Sequence, residues 1–175
     1  MKSLLGNKRT LGIHVRGGDL RKAVFNHPIA VPLDEHLEHA EKILKEYEFE
    51  QIFLATDEKE AVDAFVEKFG DKVVYYKDTF RGENGQWVCW MNAERENHNY
   101  KLGLEILRDA ETLAHCNGLI AGHSNIILYV ELRLRMMQHE LEYFHIINKG
   151  TNDSGKTIAT LVKEGERSRR QSTNK

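Results

Sequence analysis

Short runs of strand-type hydrophobicity alternate with longer runs of helical hydrophobicity along this chain, and few folds accept that rhythm. Residues 11–16 place Leu11, Ile13 and Val15 in one extended run; Ile and Val suit a pleated, half-buried surface. Residues 31–47, "VPLDEHLEHAEKILKEY", carry Leu33, Leu37, Ala40, Ile43, Leu44 and Tyr47 at the spacing of one helix face. Pro32 lies just ahead of that face, where its fixed φ is tolerated. "QIFLAT" (51–56) reads as a second strand and "EKEAVDAFVEKFG" (58–70) as a second helix. Asp57 is a candidate cap for that helix, and Gly70 is its stop. Strands follow at 72–76, 118–122 and 143–147, with helices at 98–116 and 124–138. The connection 77–97 is the least regular part of the chain, and the sequence has no internal repeat.

Strands that alternate with helices predict a parallel sheet covered on both faces. Right-handed crossovers then give a Rossmann-like, doubly wound α/β fold of about five strands in three layers, αβα. The expected strand order is 3-2-1-4-5. The chain has 175 residues, enough for one domain that buries roughly 70% of its unfolded surface. That domain is expected over 11–150, after a lead-in at 1–10. The tail 151–175 ends in a basic stretch with no apolar face and is expected to be disordered.

The expected order carries a functional consequence. Strands 1 and 4 become neighbours at the switch point of the sheet, where open α/β folds bind ligands outside the carboxyl ends of their strands. "HVRGGD" (14–19) leaves strand 1 there, and "GHSN" (122–125) leaves strand 4 beside it. A charged surface hairpin would also explain "HVRGGD", but it predicts no such convergence. The chemistry of the site suits an anion. Arg16 offers a planar fork of donors for phosphate, Gly17 and Gly18 let backbone N–H groups approach a ligand, and the helix starting near Ser124 adds free N–H groups and a positive dipole end. Neither the G-x-x-x-x-G-K-[ST] nor the G-x-G-x-x-G phosphate loop is present.

Three segments resemble the fucosyltransferase superfamily, which includes α1,2-, α1,6- and protein O-fucosyltransferases. "HVRGGD" resembles its H-x-R-R-x-D motif, "IFLATDE" (52–58) its "LATDD" strand-turn, and "DAETLAHCNGLIAGHSN" (109–125) its third motif. They occur in order over about residues 11–145. The resemblance implies one half of a GT-B fold, the C-terminal domain that binds GDP-fucose, acting in inverting transfer without a bound metal or other cofactor. It implies that Arg16 binds the β-phosphate and steadies the leaving GDP, and that His14 and Asp109 lie near the guanine or its ribose. Asp19 would hold the motif loop, Ser124 and Asn125 would face the diphosphate, and Asp57 would sit near the base. Gly17 departs from the family, which usually has a second arginine there; this weakens the positive field at the phosphate.

Each residue also has a structural reading. His14 fits a hydrogen-bonded buried histidine, Arg16 and Asp19 a structural ion pair, and Asp57, Ser124 and Asn125 plain helix caps. Asp109 fits a solvated position on a long helix. His36 and His39 stand at i, i+3 without a third ligand and read as an exposed face. Trp87 and Trp90 line a sugar pocket or anchor the long connection. One doubly wound unit uses most of the chain, so an acceptor domain is expected to come from elsewhere. The alternatives are a fragment, a partner subunit or dimer, and a non-catalytic GDP-sugar-binding module. A formal net charge of −2 argues against a general nucleic-acid binder. No apolar run reaches the ~20 residues of a membrane helix. Cys89 and Cys116 form no C-x-x-C pair, and a reduced, cytoplasmic setting is expected.

Overall fold

The computed structural model describes residues 2–18, 24–88, 95–157, 159–160 and 163. Asp19, Cys89, Trp90 and almost all of 158–175 lie outside the described residues.

Five parallel strands form one sheet: β1 (Thr10–Val15), β2 (Gln51–Thr56), β3 (Val73–Val74), β4 (Gly118–Gly122) and β5 (Tyr143–Ile147). Their order is β3-β2-β1-β4-β5, as the alternation of periods predicts. Every residue of β1, β2 and β4 is buried, as expected for central parallel strands covered on both faces. One face carries Leu11, Ile13, Val15, Ile52 and Leu54 against α2 (Leu33–Glu46) and α3 (Lys59–Phe69). The other carries Phe53, Ala55, Leu119 and Ala121 against α4 (His98–Leu113) and α5 (Asn125–Met137). The result is the three-layer αβα, Rossmann-like arrangement.

Several local expectations are corrected. The lead-in holds a short helix, α1 (Lys2–Leu5); Leu5 is buried on the α4/α5 side, and its carbonyl accepts from Gln51 Nε2 at 2.8 Å. β3 is only two residues long, because Tyr75 and Tyr76 take other partners: Arg81 covers the Tyr75 ring and the Tyr76 hydroxyl meets Thr112 Oγ1 at 3.0 Å. His36 does not belong to an exposed face. It is 1% exposed on the buried stripe of α2 with Ala40, Ile43 and Leu44, a 4-3-1 spacing that one helix face accommodates. The N-cap of α3 is Glu58 rather than Asp57. Residues 151–157, placed in the tail by sequence, bond together with Gly150 to 24–29, through Phe25 N–H to Lys156 O, Asn26 N–H to Asn152 O, Ile29 N–H to Gly150 O and Asn152 N–H to His27 O.

Candidate functional site

β1 and β4 are adjacent, and the loops leaving their carboxyl ends meet. Between them lies a cleft of about 400 Å³, lined by Arg16, Asn26, His27, Pro28, Ile106, His123, Ser124, Asn125 and Ile126. Ligand sites commonly span ~300–1,000 Å³. A smaller cavity of about 40 Å³ adjoins it through Arg16, Ile106 and Ile126, and reaches His14, Asp57, Glu105 and Asp109. The structure thus gathers Arg16, Ser124 and Asn125 at the cleft, and His14, Asp57 and Asp109 at the cavity beneath it.

Strand alternation decides where His14 goes. Leu11, Ile13 and Val15 face α2 and α3, so His14 faces the α4 layer, between Ala55 of β2 and Ala121 of β4 in register. Those small neighbours leave room for an imidazole. His14 is 3% exposed, and its Nδ1 has no hydrogen-bond partner among the described residues. Burial, and then the charge of Arg16, lower its pKa to about 3, so the ring is neutral at physiological pH. It offers a hydrogen bond, not a charge.

Asp109 is the mirror case. It sits on the inner face of α4, 8% exposed, with Oδ1 unpartnered among the described residues. Arg81 and Arg108 favour its ionised form, but neither guanidinium is directed to it. Arg108 pairs with Asp78 through two bonds of 2.9 Å, and Arg81 donates to the carbonyls of Tyr76 and Thr79. Burial therefore prevails and raises the Asp109 pKa to about 7. This is a carboxyl poised to change charge near neutrality, not the solvated position that a long helix suggests.

The loop after β1 is held by carboxylates from the end of β2. Gly17 N–H donates to Asp57 Oδ1 at 3.0 Å and Gly18 N–H donates to Glu58 Oε1 at 3.0 Å. Asp57 Oδ2 also lies 3.3 Å from the Arg16 guanidinium. Gly17 is glycine for a steric reason: a Cβ there would lie 1.7 Å from Glu58 Cδ. Gly18 has φ +50°, the left-handed region that glycine adopts most easily. Both N–H groups are thus engaged within the protein, and the positive character of the cleft comes from Arg16 and the start of α5. Ser124 is the N-cap of α5, yet its hydroxyl makes no capping bond. Its Oγ is buried without a partner among the described residues, and Ser124, Asn125 and Ile126 at the start of α5 line the cleft, where a helix leaves its first N–H groups without helical partners.

Sequence reasoning missed Asn26, His27, Pro28 and Ile106 as lining residues. The polar Asn-His-Pro run after strand 1 was the available signal, since such runs mark turns at the end of the sheet where ligands bind. Trp87 is half-buried in the connection before α4. Among the described residues, no three His, Cys, Asp or Glu side chains are grouped to hold a metal ion, and no helix is long and apolar enough to cross a membrane.

No family model matches the sequence, and no curated protein matches it. Solved structures similar in fold include two of one enzyme. One is NodZ alpha-1,6-fucosyltransferase soaked with GDP-fucose, with a TM-score of 0.48 at 16% identity over 76% of this chain. The other is NodZ alpha-1,6-fucosyltransferase co-crystallized with GDP, with a TM-score of 0.47 at 16% identity over 75% of this chain. The matches cover 38% and 37% of those chains, so this chain spans less than two fifths of their length.

Proposed function

We propose that this chain is the GDP-sugar-binding half of a fucosyltransferase-like glycosyltransferase, one of the two halves of a GT-B fold. In this reading it binds GDP-fucose in the cytoplasm, and a second domain or subunit presents a glycan or protein acceptor for inverting transfer. The observation that carries the reading is the meeting of Arg16 with the Ser124–Asn125 start of α5 across one cleft. A guanidinium and a helix N-terminus together form an anion site suited to a diphosphate.

In this reading the residues take the following roles. Arg16 binds the β-phosphate and stabilises charge as GDP departs, which is worth ~10²–10³ in rate for one such donor. The α5 N–H groups and Ser124 Oγ hold the remaining phosphate oxygens, so no metal is required. Asp57 orients Arg16 and the Gly17 N–H, while Gly18 shapes the same loop. Asp109 and His14, beneath the cleft, lie near the guanine or its ribose.

Calorimetric titration with GDP, ADP and UDP, each with chelator present, tests the reading. GDP is expected to bind tightest; equal affinity for all three would overturn it. A second reading, a GDP-sugar-binding module without turnover, is favoured by one observation. Glu58 occupies the space at Gly17 where the family usually has a second arginine. Tight GDP-fucose binding by the chain completed with an acceptor domain, but no transfer, would select that alternative.

A further inference from the structure

We propose that the outer faces of α4 and α5 join two copies of this chain in a two-fold dimer. α4 exposes Tyr100, Leu104 and Leu107 at i, i+4, i+7, and α5 exposes Leu128, Leu132 and Met136 at i, i+4, i+8. These are two stripes on adjacent helices, each opposite the face that the helix buries against the sheet. Glu111 of α4 locks the pair together: its carboxylate accepts from the Tyr129 hydroxyl and from Arg133 Nε at 2.6 Å, both on α5. The two stripes therefore make one rigid surface.

The area and the charges favour a second copy as the occupant. The six side chains are 50–70% exposed. They leave on the order of 600 Å² of apolar surface in water, the upper end for a monomer's largest patch and most of the ~800 Å² per partner in a standard interface. The rim carries both signs. Glu131 and Arg135 on α5 each lie three residues beyond a stripe leucine, on the neighbouring row of the helix surface. A two-fold axis brings Glu131 of one copy toward Arg135 of the other, as isologous contacts require. A lipid surface or a partner of one charge sign would meet a repelling residue at one of the two positions. Gly103 adds a second indication. It lies mid-helix beside Leu104, where glycine weakens a helix, and a Cβ there would meet nothing within 4 Å. The open space permits close approach by a helix from outside.

Sedimentation of the full chain at micromolar concentration tests the proposal. The wild type is expected to sediment as a dimer. Leu128→Lys with Leu132→Lys is expected to sediment as a monomer with an unchanged circular dichroism spectrum. Val66→Lys, on the exposed side of α3 across the sheet, is expected to leave the dimer intact. Gly103→Leu has room in a single copy and is expected to raise the dimer dissociation constant at least tenfold. A monomeric wild type, or a dimer that survives the α5 double substitution, overturns the proposal.

Discussion

Asp109 holds the most informative single charge in the molecule. Its pKa is about 7 in the folded chain, against 3.8 for an ordinary aspartate. Between pH 4 and 7 the unfolded chain ionises this carboxyl while the folded chain keeps it protonated. Stability from this residue is therefore fully present below about pH 4, falls as pH rises toward 7, and levels off above it. Asp109→Asn is expected to stabilise the chain at pH 8 by on the order of 4 kcal/mol, and to change little at pH 4. Urea unfolding at the two pH values measures the difference; equal effects at both would mean that Asp109 ionises normally. The residue's burial was not legible in the sequence, because one aspartate on an amphipathic helix looks solvated. What hides it is the position of α4 over His14, a tertiary fact. Gly17 illustrates the same limit. The glycine is plain to read, but the Glu58 carboxylate that fills the space beside it comes from the far end of β2.

Among the elements, hydrophobic period fixed most of what matters. Strand 2, strand 4 and strand 5 occupy the expected residues, and the sheet order is the common one for a doubly wound sheet of five strands. The failures are at short or edge elements: α1 is four residues long and β3 two, too short for any period to register. The start of α5 was legible from Ser124, but its idle hydroxyl was not. An ordinary N-cap contributes about 1 kcal/mol through its side-chain bond, and Ser124 makes no such bond. Ser124→Ala is thus expected to leave the thermal midpoint nearly unchanged, while weakening GDP binding. Arg16→Ala is expected to behave likewise and to cost about 1.5–3 kcal/mol of binding, the worth of a hydrogen bond to a charged group. Thermal melts with and without GDP separate the two effects. A large loss of midpoint without nucleotide would make either residue a structural one.

At the scale of the whole molecule, the cleft has one wall that the sheet does not supply. Asn26, His27 and Pro28 line it, and four backbone hydrogen bonds tie 24–29 to 150–157. The last strand ends at Ile147, so removal of everything after Lys149 is expected to preserve cooperative unfolding of the sheet. Affinity for GDP is expected to fall at least tenfold, as measured by titration of the shortened chain; unchanged affinity would show that 24–29 stands without its partner. The same tie sets an order of events during synthesis. Residue 29 leaves the ribosome about 120 residues before Gly150, and chains grow at ~5–20 residues per second, so the two segments are separated by roughly ten seconds. A nascent chain can assemble its central strands in that interval while the site still gapes on one side. The cleft gains its second wall only after all five strands of the sheet have been made.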